Sequence, residues 1–405
     1  MKKLILSFIA ATCLFGARAQ DRTLIACYTF TGTDKETSIS VSELMSASGW
    51  AGRRVNTDRL PLHGNGVITM RSAADGDTLY MTSFSTLFQE WQNTEEATRV
   101  RKSFENIFQL PMPSAPADVS VELFDSRGNV AASLTHRVDP SDILIRPADL
   151  NPPVWKYIEQ NGSPEGCIDV LFVPEGYTAD EMLIFDNDVR RAVKSLLSHD
   201  PFKKMRRRFN FISVHLPSRD SGVSIPAEGL WKDTAVASHF DTFYSARYLT
   251  TLRLKEMAQK LAGVPYEHII ILANTSNYGG GGIYNSYTLT AAHHTKFEPV
   301  VVHEFGHSFA GLADEYYYDD QYSQYYHEGV EPWEPNITTM AAFSEKWQDM
   351  LGSKGVGLVE GGGYMSKGVW RACEDCRMKT NEAPGFCPVC QRAIERMIRF
   401  HVEQL

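Results

Sequence analysis

Glu298-Pro299-Val300-Val301-Val302-His303-Glu304-Phe305-Gly306-His307 decides how the rest of the chain is read. Pro299 suits a first helical turn, and the three valines after it give the turn an apolar face. On a helix, positions four apart stack on one side, so His303 and His307 can aim two imidazoles at one metal ion. Glu304 sits beside them, where its carboxylate can reach a water in an open coordination position. Ser308-Phe309-Ala310 continue the helix, and Gly311 is placed to end it in the left-handed conformation that side-chain-bearing residues avoid. The chain can then turn back and offer Asp314 as a third ligand, with Glu315 as the alternative. Neutral nitrogens and a carboxylate suit Zn2+, and a second carboxylate can take the proton of an activated water.

Working outward, 405 residues exceed one typical domain and predict two, each able to bury its own core. A formal net charge of -9 argues against a nucleic-acid partner. The basic run Lys203-Lys204-Met205-Arg206-Arg207-Arg208 reads as a solvated helix end, because no wider basic face accompanies it. Lys2-Lys3, the apolar run over 4–15 and Ala17-Arg18-Ala19 read as a secretory signal peptide cut near Ala19. No later apolar run is long enough for a transmembrane segment. Export to the periplasm, the cell surface or the medium is therefore expected; oligomeric state is not legible.

Residues 20–150 show short alternating or apolar runs separated by turn signals, as over 24–30, 66–70, 78–81, 119–124 and 130–135. One helix is expected between Ser83 and Phe108, where Phe84, Leu87, Phe88 and Trp91 follow a helical spacing. Together these predict an N-terminal, mostly-β sandwich. Pro152, Pro153 and Pro164 place a linker at 151–166. From 167 to 405 strands alternate with helices, which predicts an α/β domain. Strands are expected at 168–173, 209–215 and 268–273, with helices near 178–197 and 246–262. Thr178 and Glu181 have the spacing of a capping box. The four glycines 279–282 lead into an expected edge strand at 283–288, against which an extended peptide could pair. Cys373, Cys376, Cys387 and Cys390 form two C-x2-C pairs, the spacing of a structural zinc site; export favours disulfides over that second zinc.

The run His303 to His307 with Gly311, Asp314, Glu315 and Tyr316 resembles the M64 peptidases, often called IgA peptidase M64. So do Ile168-Asp169-Val170-Leu171-Phe172-Val173-Pro174-Glu175-Gly176-Tyr177 and the late cluster Cys376-Arg377-Met378 with Phe386-Cys387-Pro388-Val389-Cys390. The resemblance spans about residue 165 to the carboxyl end, and the amino-terminal half looks like the β-rich domain that precedes some members. It implies a metzincin-like zinc metallopeptidase domain, with a Met in a tight turn beneath the metal: Met378 first, Met365 second. The usual interval in such enzymes places Gly three residues after the second His and a ligand three beyond it. Here Gly311 is four after His307 and Asp314 seven after.

The expected function is a secreted zinc metalloendopeptidase. His303, His307 and Asp314 would hold the metal, and Glu304 would act as general base on protein or peptide substrates. Two alternatives share these residues: a non-catalytic surface protein with a structural metal site, and a metal-dependent cell-wall amidase.

Overall fold

The computed structural model describes residues 22–318 and 325–404, so the leader expected at 1–19 lies outside the described residues. The amino-terminal unit is built from two four-stranded sheets. One orders β5-β1-β2-β8, from β1 (Arg22–Gly32), β2 (Thr37–Ser48), β5 (Lys102–Pro111) and β8 (Arg146–Pro147). The other orders β4-β3-β6-β7, from β3 (Gly66–Ser72), β4 (Thr78–Phe84), β6 (Ala117–Phe124) and β7 (Val130–Val138). Alternation explains the pairing of faces. Leu24, Ala26, Tyr28 and Phe30 turn inward from the first sheet to meet Ile68, Met70, Val119, Val121 and Leu123 of the second. The helix expected within 83–108 is short: α1 spans Leu87–Gln92, capped by Thr86, whose hydroxyl accepts from Gln89 N–H. Phe84 belongs to β4, and residues 102–111 alternate buried and partly exposed as a strand.

The second unit is a six-stranded sheet ordered β13-β14-β12-β10-β11-β9. Its centre is parallel: β10 (Ile168–Glu175), β11 (Phe209–His215), β12 (His268–Ala273) and β14 (Tyr287–Ala291). The antiparallel edges are β9 (Val154–Glu159) and β13 (Gly280–Ile283). Residues 151–166, expected as a linker, thus contribute a strand, because Trp155 and Tyr157 alternate inward against the apolar cluster. The continuous apolar reading of β10 reflects burial on both faces. Ile168, Val170 and Phe172 face helices α2 (Met182–Leu196), α4 (Phe297–Ala310) and α5 (Pro388–Val402), whereas Leu171 and Val173 face the other way.

That other face is shared. Leu171, Val173, Ile212, Val214, Ile271 and Leu289 belong to one apolar cluster with the inner faces of the β-sandwich. Helix α3 (Leu254–Leu261) is shorter than expected from 246–262, since Tyr248, Leu249 and Thr250 bond instead to Gly280 and His239. Its Ala258 and Ala262 pack on Ile25, Cys27 and Met45 of the first sheet. A small sheet of β15 (Tyr317–Tyr318), β16 (Ile337–Thr338), β17 (Val359–Gly362) and β18 (Tyr364–Arg371) packs on the loop that follows α4, where Ala313 meets Ile337 and Val369. Among the described residues no helix is long and apolar enough to cross a membrane. In the basic run, Arg206 pairs with Glu159 and Arg208 with Glu403, so it is an ion-paired surface.

Candidate metal centre

Helix α4 carries His303, Glu304 and His307 and ends at Gly311, whose φ of 60° is left-handed and whose N–H bonds to His307 O. A side chain at Gly311 would also strike Trp333 and Leu62. The helix lies against the glycine run. A Cβ on Gly282 would stand 2.3 Å from the Glu304 carbonyl oxygen, and one on Gly280 would stand 2.8 Å from Glu304 Oε1. Only glycine lets helix and strand approach this closely. The edge strand is therefore the glycine segment itself, Gly280–Ile283, rather than 283–288, where the chain turns through Asn285 into β14. Its outer edge is already bonded at Gly280, to Arg247 O and Leu249 N–H.

The two imidazoles are set by backbone carbonyls. His303 Nδ1 lies 2.9 Å from Arg377 O, and His307 Nδ1 bonds to Leu312 O. A carbonyl only accepts, so each Nδ1 carries the hydrogen and each Nε2 presents a lone pair. These two Nε2 atoms lie 3.0 Å apart. Asp314 Oδ1 is 3.0 Å from His303 Nε2 and 3.2 Å from His307 Nε2. Its partner oxygen, Oδ2, accepts the Tyr364 hydroxyl, and Gly363 N–H bonds to Asp314 O at 2.8 Å. Three acceptor atoms thus converge in a buried place, and Asp314 Oδ1 has no hydrogen-bond donor among the described residues. Such a convergence is repulsive unless a proton or a metal cation sits among the atoms, and two imidazoles with one carboxylate are a donor set that fits a metal ion.

The same demand for positive charge shows in the titration. Burial alone would lower His307, yet Asp314 raises it to about 9. Burial would raise Asp314, yet His307 and His303 hold it well below the usual carboxylate range. The Glu304 carboxylate lies within 4.8 Å of both imidazoles, and burial raises it against their pull. Glu315 follows Asp314 but turns away from the imidazoles, towards Cys376, Cys387 and Cys390. Met378 is fully buried with its sulfur against Gly306 on the underside of α4, whereas Met365 is only partly buried. Of the tyrosines, Tyr364 is committed to Asp314. Tyr316 stacks near His303 at 6.5 Å and borders the cleft, and Tyr317 is exposed.

A cleft of about 2220 Å³ opens over these side chains. Part of its lining comes from the β-sandwich unit: Leu62, Asn65, Gln89 and Glu90 border it, with Asn65 bonded to Trp333 Nε1 and Glu90 to the Tyr248 hydroxyl. Burial pushes Glu90 up to about 7 against the pull of the hydroxyl bond from Tyr248. The sequence of this half predicts a mostly-β sandwich with one helix between Ser83 and Phe108. It does not identify Glu90, because nothing in residues 87–92 distinguishes a cleft wall from an ordinary amphipathic turn. The two remaining histidines before α4 are structural: His293 bonds Asp188 at 2.7 Å, and His294 packs on Tyr278.

The comparisons with known proteins agree with this geometry. The family model described as IgA Peptidase M64 matches residues 157–355 and 351–398, and the one described as Peptidase M64 N-terminus matches 15–135. No curated protein matches the chain. A crystal structure described as a candidate beta-galactosidase from Bacteroides fragilis aligns at 7% identity and a TM-score of 0.13, over 63% of this chain and 48% of its own. The chain thus spans about half the length of that protein, and a likeness so slight bears on neither fold nor activity. With both family models matched over most of its length, and a His-Glu-x-x-His helix at the centre of its second unit, the chain belongs to the M64 peptidase family.

Proposed function

We propose that the protein is an exported zinc endopeptidase in which His303, His307 and Asp314 hold the ion and Glu304 is the general base. The observation that carries this reading is the triangle of Nε2, Nε2 and Oδ1 atoms with sides of 3.0, 3.0 and 3.2 Å. Tetrahedral zinc with ligands at about 2.0–2.1 Å requires neighbouring donor atoms roughly 3.3 Å apart, close to these sides. When bound, the ion supplies Lewis acidity, which makes a nearby water acidic enough to attack at neutral pH.

The chain's own residues do the rest. Arg377 O and Leu312 O keep both imidazoles in the Nδ1–H tautomer, and Tyr364 fixes the rotation of Asp314. Glu304, beside the imidazoles, takes the proton of the attacking water and returns it to the departing amine. Tyr316 borders the cleft beside His303, and its hydroxyl is the candidate donor for the oxyanion of the tetrahedral adduct. The cleft is larger than the roughly 300–1,000 Å³ typical of small-ligand sites, which favours an extended polypeptide as substrate.

The test is hydrolysis of casein by wild type, by chelator-treated protein and by Glu304→Gln. Loss of cleavage in the last two, with metal content kept in Glu304→Gln, is the expected result. Cleavage by Glu304→Gln at the wild-type rate would remove the assignment.

A further inference from the structure

Three of the late cysteines are buried together with a glutamate. Cys376, Cys387, Cys390 and Glu315 are 1%, 5%, 0% and 0% exposed, and their ligand atoms all lie within 4.8 Å of one another. None of the six described cysteines is in a disulfide. The disulfides expected from export are therefore not formed here, and the distances explain what the thiols suit instead. Cys376 Sγ and Cys390 Sγ are 3.7 Å apart, far beyond the roughly 2.05 Å of a sulfur–sulfur bond. Two thiolates on one tetrahedral zinc, each at about 2.3 Å, stand about 3.8 Å apart.

The surroundings favour thiolates. Cys387 caps α5, and its sulfur accepts the Cys390 N–H at 3.5 Å. Cys376 Sγ accepts the Cys387 N–H at 3.2 Å. Backbone N–H groups at a helix start are suited to sulfur anions. Glu315 Oε1 is 3.1 Å from Cys390 Sγ and accepts from Asn336 Nδ2 at 3.0 Å. Its other oxygen, Oε2, is buried with no hydrogen-bond partner among the described residues. A fully buried carboxylate with one orphaned oxygen, turned towards three thiols, is an expensive arrangement unless a cation satisfies it. Cys373 is half-buried, bonds Gly355 O and lies beside the Cys387 thiol, but it is not one of the four whose ligand atoms all converge.

We infer that Cys376, Cys387, Cys390 and Glu315 bind a second, structural zinc ion, separate from the centre on α4. Soft thiolates with one carboxylate in a closed, buried set of four are a zinc donor set with no open position for water. The ion would fasten two segments that both touch the first centre. Glu315 adjoins Asp314, and its N–H bonds to Met378 O at 2.8 Å. Cys376 adjoins Arg377, whose carbonyl orients His303, and Met378 supports Gly306. This positioning role rests on the peptidase reading; the second ion itself does not.

The experiment uses the full chain purified without chelator. Zinc content is measured for wild type, for Cys376→Ser, for Cys390→Ser and for the double variant His303→Ala/His307→Ala, and cobalt is then exchanged in. The expected result is about two zinc ions per wild-type chain and about one in each variant. The double variant should keep the sulfur-to-cobalt charge-transfer absorption, and the cysteine variants should lose it. If either cysteine variant fails to fold, the double variant decides, since its thiol cluster is intact. A wild type with one zinc that disappears with His303 and His307, no thiolate absorption in the double variant, or a Cys376–Cys390 disulfide would each overturn the inference. An inactive wild type that still shows the thiolate absorption would count against the peptidase reading alone.

Discussion

Tyr364 donates its hydroxyl hydrogen to one oxygen of Asp314 while the other oxygen faces both imidazoles, so a residue fifty positions downstream sets the rotation of a candidate metal ligand. Tyr364 is itself held at a positive φ of 67°, and its N–H bonds to Tyr316 O at 3.1 Å. Tyr364→Phe should leave the fold intact and weaken metal binding roughly 10- to 100-fold, the usual effect of losing a group that orients a ligand. Competition with a chromogenic chelator measures it. Unchanged affinity would mean that Asp314 needs no outside support.

Glu304→Gln should retain its metal and lose activity by roughly 10²- to 10⁴-fold, the contribution of a positioned proton carrier. Metal content and kcat/KM on a quenched fluorescent peptide, measured on the same preparation, separate the two. An equal loss of metal would recast Glu304 as a ligand, as its place within 4.8 Å of both imidazoles permits.

Tyr316→Phe removes only a hydroxyl from the cleft. If that hydroxyl donates to the developing oxyanion, kcat should fall by roughly 10²- to 10³-fold with KM and metal content little changed. A change confined to KM would make Tyr316 a substrate-contact residue.

Gly282→Ala puts a methyl group 2.3 Å from the Glu304 carbonyl oxygen and 2.8 Å from His307 Cβ. Backbone on both sides prevents an easy retreat, so the cost should be about 1–3 kcal/mol. Thermal unfolding should shift down by a few degrees, and metal affinity should fall with it. A variant as stable as wild type would show that α4 can move off the edge strand.

Glu267 supplies a pH dependence away from the metal. Burial raises it to about 8, and its carboxyl faces His401 Nδ1 at 3.3 Å, near Arg53. An acid that holds its proton more tightly folded than unfolded stabilises fully below its unfolded value near 4.5, and that contribution is lost as pH rises through about 8. Stability should therefore decline between about pH 5 and 8, by up to a few kcal/mol from this group. Glu267→Gln should flatten that part of the urea-denaturation profile. An unchanged slope would place the titration elsewhere, Asp169, raised to about 7, being the nearest alternative.

Much of the second unit was legible because local signals agreed. Residues 209–215 read as a strand and are one, since Phe209, Phe211, Ile212 and Val214 form a short apolar-rich run bounded by a basic turn and, two residues on, by Pro217. Thr178 and Glu181 have capping-box spacing, and both bonds of the box are made. The misjudged segments are those that neighbours decide. Phe84 has helical spacing with Leu87 but pairs with Gly66, and residues 246–251 have no partner in the sequence yet meet Gly280 and His239 in space. Four glycines look like slack chain, but α4 presses on Gly280 and Gly282, while Gly279 and Gly281 lie against Phe240 and Tyr248. At the site, the imidazoles and their neighbouring acids lie on one continuous stretch. Tyr364, the Arg377 carbonyl and Glu90 arrive from distant segments, with no spacing to announce them.

The apolar mass common to the β-sandwich and one face of the six-stranded sheet ties the inheritance of the two units together. Leu171, Ile271 and Leu289 share that mass with Val223, Val236, Leu249, Met257 and Leu261 of their own unit as well as with the sandwich, so a chain kept as residues 167–404 alone would lose part of its apolar cover. A unit trimmed in this way would lose part of the cleft lining and expose apolar surface. Evolution or design can therefore exchange the amino-terminal half only for another that covers the same oily footprint.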